Sequence, residues 1–103
     1  NVCNISDVSV YTAAEGEWSA IAPMNVARRG LSLAADEKRG LIYAVGGMDC
    51  KDNCYGLPVE YLTTVEVLDV AKGTWEVLPS MQTGRRDLGV VVIDSLVYAV
   101  GGC

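Results

Sequence analysis

Two stretches of this 103-residue chain are the same stretch written twice. Moved by 57 positions, Val8, Val10, Trp18, Met24, Arg28, Arg29 and Leu31 fall on Val65, Val67, Trp75, Met81, Arg85, Arg86 and Leu88. With the shift reduced to 55, Leu41, Tyr43 and Ala44-Val45-Gly46-Gly47 fall on Leu96, Tyr98 and Ala99-Val100-Gly101-Gly102. The two lost positions lie in one turn, where Asp36-Glu37-Lys38-Arg39-Gly40 is matched by the tighter Asp94-Ser95. A length change confined to a turn is what a hairpin tip tolerates. A period of this size sets the whole architecture and takes precedence over any local reading.

Each copy reads as four short strands. Ser6 to Tyr11 and Thr64 to Leu68 alternate apolar and polar residues, and each runs into a polar turn with Gly16 or Gly73 two residues before a Trp. Trp18 and Trp75 open a second strand. Met24 or Met81 then leads through small residues and paired arginines into Leu31 to Ala35 or Leu88 to Ile93, and Leu41 to Val45 or Leu96 to Val100 follows. These last two strands of each copy are continuously apolar, which predicts burial on both faces. Covered sheets repeated along a chain are what stacked propeller blades produce, so the expected fold class is all-β.

The segment PMNVARRGLSLAADEKRGLIYAVGG, with its Met-x-x-x-Arg, its spaced aromatics and an apolar run closing on Gly-Gly, resembles the kelch repeat. The resemblance covers nearly the whole chain, as a repeat over 1–47 and another over 48–103 with a long connection at 48–64. It implies blades of four antiparallel strands in a β-propeller, the strand after the arginines innermost and the Trp strand outermost. The chain then holds the outer two strands of one blade, one whole blade and the inner two strands of another. Closed propellers hold roughly four to eight blades, so the remaining blades come from a longer parent chain or from other copies. Copies joined head to tail would bring Cys103 of one near Cys3 of the next.

The resemblance also places Arg28 and Arg85 at the position that faces the central opening, where adaptor members of the family hold partner peptides. Arg29 and Arg86 stand beside them. A guanidinium fork pairs bidentately with a carboxylate, and in a chain of net charge -5 such a ring is a positive focus for an acidic peptide. The competing reading is a structural arginine that satisfies loop carbonyls or an acid such as Asp87. The Met48 to Thr64 connection carries Asp49, Cys50, Lys51, Asp52, Cys54, Tyr55 and Tyr61, with Tyr55 its candidate partner contact; a tolerated insertion is the alternative. Asp7, Glu66 and Asp69 read as solvated acids near strand ends. Trp18, Trp75, Tyr43 and Tyr98 read as blade-to-blade packing. Gly46-Gly47 and Gly101-Gly102 read as strained backbone or close approach at a strand end, since no helix and no Lys-Ser/Thr accompanies them as in a phosphate loop.

Composition narrows the chemistry. With 8 Lys+Arg against 13 Asp+Glu there is no footprint for nucleic acid or an anionic membrane. No run approaches the ~18 apolar residues of a spanning helix, and no signal layout opens the chain, so a soluble cytoplasmic protein is expected. The spacing of Cys3, Cys50, Cys54 and Cys103 is not a zinc pattern; free thiols are expected, with a local Cys50–Cys54 disulfide as the alternative. The chain has no His, the commonest acid/base and neutral metal ligand. That excludes the copper chemistry of kelch-type oxidases, and the turns lack the spacing of a sialidase Asp-box. No catalytic residue, metal or cofactor is expected. The leading expectation is a protein-interaction module, in the manner of a BTB-linked kelch adaptor for a cullin-based ubiquitin ligase. An actin-binding scaffold and the non-catalytic blades of a propeller enzyme are the alternatives.

Overall fold

The computed structural model describes residues 5–50 and 59–103. The alternating segments form β1 (Val8–Thr12) with β2 (Glu17–Ile21), and β7 (Val65–Asp69) with β8 (Thr74–Leu78). In the first hairpin the Thr12 carbonyl accepts the Glu15 and Gly16 N–H groups at 3.1 and 2.8 Å. In its repeat, the Asp69 carbonyl accepts the Gly73 N–H at 2.7 Å and its carboxylate accepts the Lys72 N–H at 3.1 Å. Asp69 thus ties down a turn, as Asp does through short local hydrogen bonds.

The apolar runs form β3 (Ser32–Asp36) with β4 (Leu41–Val45), and β9 (Gly89–Ile93) with β10 (Leu96–Val100). Their turns explain the change in repeat length. Buried Asp36 accepts from both the Arg39 backbone and its guanidinium in the longer turn. The shorter one places Asp94 and Ser95 at φ 50° and 69°. Two consecutive left-handed residues make the tight turn whose twist matches that of the flanking strands.

Strands β3-β4-β7-β8 build one complete antiparallel blade, flanked by the separate pairs β1-β2 and β9-β10. The ring is incomplete. The centre of the blade is the β4–β7 ladder, where Val45 faces Val65 and Ala44 faces Glu66. Ala44, Val45, Val65 and Leu68 are buried there, and Leu88 joins Val45 and Val65 from the neighbouring pair. Between β4 and β7 the connection forms an additional hairpin, β5 (Met48–Cys50) with β6 (Val59–Tyr61), anchored at its base by buried Met48 and Leu62. Strands of three residues carry too little periodicity to show in the sequence.

Neighbouring blades meet at the double glycine. Gly46 and Gly47 have φ 67° and 103°, and the Gly47 N–H donates to the Arg85 carbonyl at 2.7 Å. A Cβ on Gly46 would collide with that same carbonyl, and one on Gly47 would stand 2.7 Å from the Arg29 carbonyl. Conformation and space both demand glycine here. The Ser32 hydroxyl donates to the Leu88 carbonyl at the same junction, and on the other side of the blade the Trp75 indole N–H donates to the Ala22 carbonyl at 2.8 Å.

Burial on both faces holds for the end of β4 but not for β3, where Leu33 is exposed, nor for β9-β10, which leave Val91, Ile93, Leu96, Tyr98 and Val100 exposed. An apolar sheet face is covered only where another blade lies against it. The radius of gyration, 14.3 Å, exceeds the about 13 Å of a compact domain this long, as an open arc of blades requires. Among the described residues, no helix is long and apolar enough to cross a membrane.

Candidate functional site

The loops that carry the paired arginines lie at one end of the blades, together with the β5-β6 hairpin. Within each pair the side chains part company. Arg28 turns inward and is 2% exposed. Its Nη1 donates to the carbonyls of Gly46 and Thr64, each at 3.0 Å, and its Nη2 meets Glu66 at 2.5 Å. Glu66 is fully buried, which corrects its reading as a solvated acid. Its carboxylate also accepts the Asn25 N–H at 2.7 Å, the Asn25 carboxamide at 3.1 Å and the Val26 N–H at 3.0 Å. An ion pair taken out of water survives when its remaining lone pairs are satisfied like this. Arg28 therefore serves the structural alternative, locking a loop of one blade onto a strand of the next.

Arg85 repeats the arrangement in part. Its backbone N–H donates to the Leu62 carbonyl at 3.2 Å, as Arg28 donates to Ile5 at 3.1 Å. Its Nη1 donates to the carbonyls of Ala99 and Gly101, each at 3.2 Å. No carboxylate of the described residues pairs with it.

The second arginines face outward. Arg29 is exposed on its side chain, while its backbone exchanges two hydrogen bonds with Met48, at 3.2 and 2.8 Å. Arg86 stacks over the Tyr61 ring, 5.5 Å from its centre, and its Nη1 lies 3.3 Å from an Asp87 carboxylate oxygen. Hydrogen bonding and charge from Tyr61, with a smaller push from Asp87, hold the Arg86 pKa above its ordinary value, so this guanidinium stays cationic. Asp87 occupies the place of Gly30 in the repeat and shares its left-handed backbone, at φ 53°. Its N–H donates to the Gly30 carbonyl at 3.0 Å, which joins the Arg29-Gly30 and Arg86-Asp87 loops. A non-glycine residue in that region is the kind of local strain that concentrates at functional sites. The result is a half-exposed cluster of Tyr61, Arg86 and Asp87, with the exposed Arg29 on the adjoining loop, in which a flat cation is held on an aromatic face. Such a cluster suits a carboxylate carried on a peptide.

A family model for the kelch motif matches residues 34–82. Kelch-like protein terF of Aspergillus terreus is 34% identical over 97 residues, which are 92% of this chain and 20% of that protein. Kelch-like ECH-associated protein 1B of Danio rerio is 34% identical over 99 residues, 96% of this chain and 16% of its own. An F-box/kelch-repeat protein of Arabidopsis thaliana is 30% identical over 97 residues, 94% of this chain and 23% of its own. The chain is a kelch-repeat segment. It spans about a fifth of the length of the relatives it matches. Its all-β hairpins and its one four-stranded antiparallel sheet are consistent with the blades of a kelch propeller.

Within this kelch segment the remaining marked residues take varied places. Trp75 lines the seam between β1-β2 and the whole blade, beside Val8, Met24 and Leu33. Trp18 is 70% exposed and leans on Tyr11, with ring centres 5.3 Å apart. Tyr43 packs against the core, whereas Tyr98 is exposed. Gly101 and Gly102 share the positive φ of the first double glycine, at 70° and 99°. Cys103 is an exposed free thiol; Cys3, Cys54 and Tyr55 lie outside the described residues. No group of acids and cysteines among the described residues is arranged to hold a metal ion. Tyr61, named in the sequence only as part of the connection, and Asp87, named only as an acid that a structural arginine would satisfy, are the site residues that sequence reasoning did not single out; Asp87 does pair with Arg86. Asp87 had a signal, since an Asp at a glycine position of the repeat marks altered loop chemistry; Tyr61 had none beyond its place in the connection.

Proposed function

We propose that this kelch segment supplies part of a partner-binding rim, and that Arg29 and Arg86 receive an acidic peptide segment of the partner, with Tyr61 as the aromatic anchor. The observation that carries this reading is the division within the pairs: Arg28 is consumed by Glu66 and loop carbonyls, while Arg86 is held outward on Tyr61. Rigid aromatic and arginine anchors are what dominate the energy of protein interfaces. In a chain of net charge -5, a local cationic rim also discriminates among partners by sign. Arg85 stands next to Arg86 and contributes to the same field, and Tyr55, on the same connection, is a further contact.

The specific form we favour is a cytoplasmic adaptor that captures a substrate protein for a cullin-based ubiquitin ligase and binds it without turnover. The kelch-like relatives support it, and one of them pairs kelch repeats with an F-box by name. The test is retention of short immobilised peptides of graded charge by the chain and by its Arg86→Ala variant. Acidic peptides are expected to be held in preference to neutral and basic ones, and the variant is expected to lose about tenfold or more in affinity, as for an interface anchor. Retention that ignores peptide charge, or that survives the substitution, contradicts the reading.

A further inference from the structure

The two copies of the repeat differ in one buried detail. In the first, β7 pairs along the outer edge of β4 and sets Glu66 opposite Ala44, from where its carboxylate enters the loop at 25–28. Gln82, Thr83 and Arg85 hold the places of Asn25, Val26 and Arg28 in the second copy. The loop is anchored in the same way: the Met81 N–H donates to Thr63 and the Met24 N–H to Ser6, both at 2.9 Å. The chain bends at 82 and 83 as it does at 25 and 26. Among the described residues, however, the Gln82 and Thr83 N–H groups have no acceptor, Arg85 meets no carboxylate, and nothing pairs with the outer edge of β10.

We infer that residues 82–85 form a carboxylate socket, and that the strand which pairs along the outer edge of β10 carries a glutamate opposite Ala99. The donor set is the one that encloses Glu66: two backbone N–H groups, a side-chain carboxamide and the free end of a guanidinium. A strand that covered Arg85 without an acid would leave a buried charge unpaired, which is strongly destabilising. An acid there makes several charge-assisted hydrogen bonds at once. The same comparison rejects a second copy of this chain as the occupant. Its β1 would bring Ser9, which holds the place of Glu66 in the repeat, and a hydroxyl is both uncharged and too short. The occupant is therefore an extended strand with alternating apolar residues around one glutamate, added by edge pairing.

The probe is a peptide of the chain's own β7 sequence, TTVEVLDVA, residues 63–71, titrated against the 103-residue chain. Binding is expected, weakened about tenfold or more when the peptide's glutamate is replaced by glutamine. The substitution lies in the peptide, so loss of folding in the protein cannot mimic the result. Arg85→Ala in the protein is expected to narrow the difference between the two peptides, the remaining donors keeping part of it. In a second arm, Ser9→Glu is expected to make the chain self-associate in sedimentation, while Ser9→Gln leaves it as dispersed as the parent. Equal affinity for both peptides, no binding of either, or a Ser9→Glu chain that sediments like the parent overturns the inference.

Discussion

Arg28 and Arg29 are neighbours in sequence and opposites in environment, one enclosed with Glu66 and the other in solvent. The enclosed pair belongs to stability. Glu66→Gln or Arg28→Met is expected to lower unfolding free energy by about 3–5 kcal/mol, because each leaves its partner without a match in the interior. The double variant is expected to lose less than the sum, and urea denaturation of all three reads the coupling. Strict additivity would mean that the two side chains do not act together. By contrast, Tyr61→Ala is expected to cost only about 0.5–1 kcal/mol, the worth of an exposed cation–ring contact. At this scale the sequence was half legible. Paired arginines at matching repeat positions marked the site, but a residue list does not say which of two adjacent side chains turns inward. Glu66 was misread because its repeat partner is Ser9, so self-comparison gave no hint that an acid was needed there.

The elements were more legible, since apolar runs and alternating segments report strands directly. Four hairpins follow from them, and the change from four turn residues to two follows from the left-handed pair Asp94-Ser95. The β5-β6 hairpin escaped because its ladder is three residues long and is held at its base by Met48 and Leu62 rather than by a pattern of its own. Leu62→Ala is expected to cost about 2–5 kcal/mol, as removal of a buried leucine does, and to weaken acidic-peptide binding by loosening the strand that presents Tyr61. The glycines at the blade junction carry a separate expectation. Gly47→Ala forces a left-handed residue against the Arg29 carbonyl, so thermal unfolding should show a loss of more than about 1 kcal/mol. An unchanged melting temperature would mean that the junction is looser than its contacts.

Across the whole molecule, order follows coverage. Core residues gather on β4, β7 and Leu88, while β2 and the outer faces of β9-β10 are exposed. Amide exchange is therefore expected to be slowest in β4 and β7 and fastest in β1-β2, since protection follows local burial and hydrogen bonding. The kelch repeat was recognisable in the sequence because glycines, aromatics and arginines recur at fixed offsets. Sheet faces that lack a covering blade were not, because an apolar run reports what a strand buries in its intended surroundings. The central claim is that the outward arginines on this scaffold bind acidic segments while the inward one holds the blades. It is tested most directly by the affinity of one acidic peptide, measured at rising salt, for the chain and for its Arg29→Ala plus Arg86→Ala variant. Affinity in the chain is expected to fall steadily as salt screens the Arg29 and Arg86 guanidinium groups, and to be lost in the variant while its circular dichroism stays unchanged. An affinity that is indifferent to salt and equal in the two proteins would contradict the account.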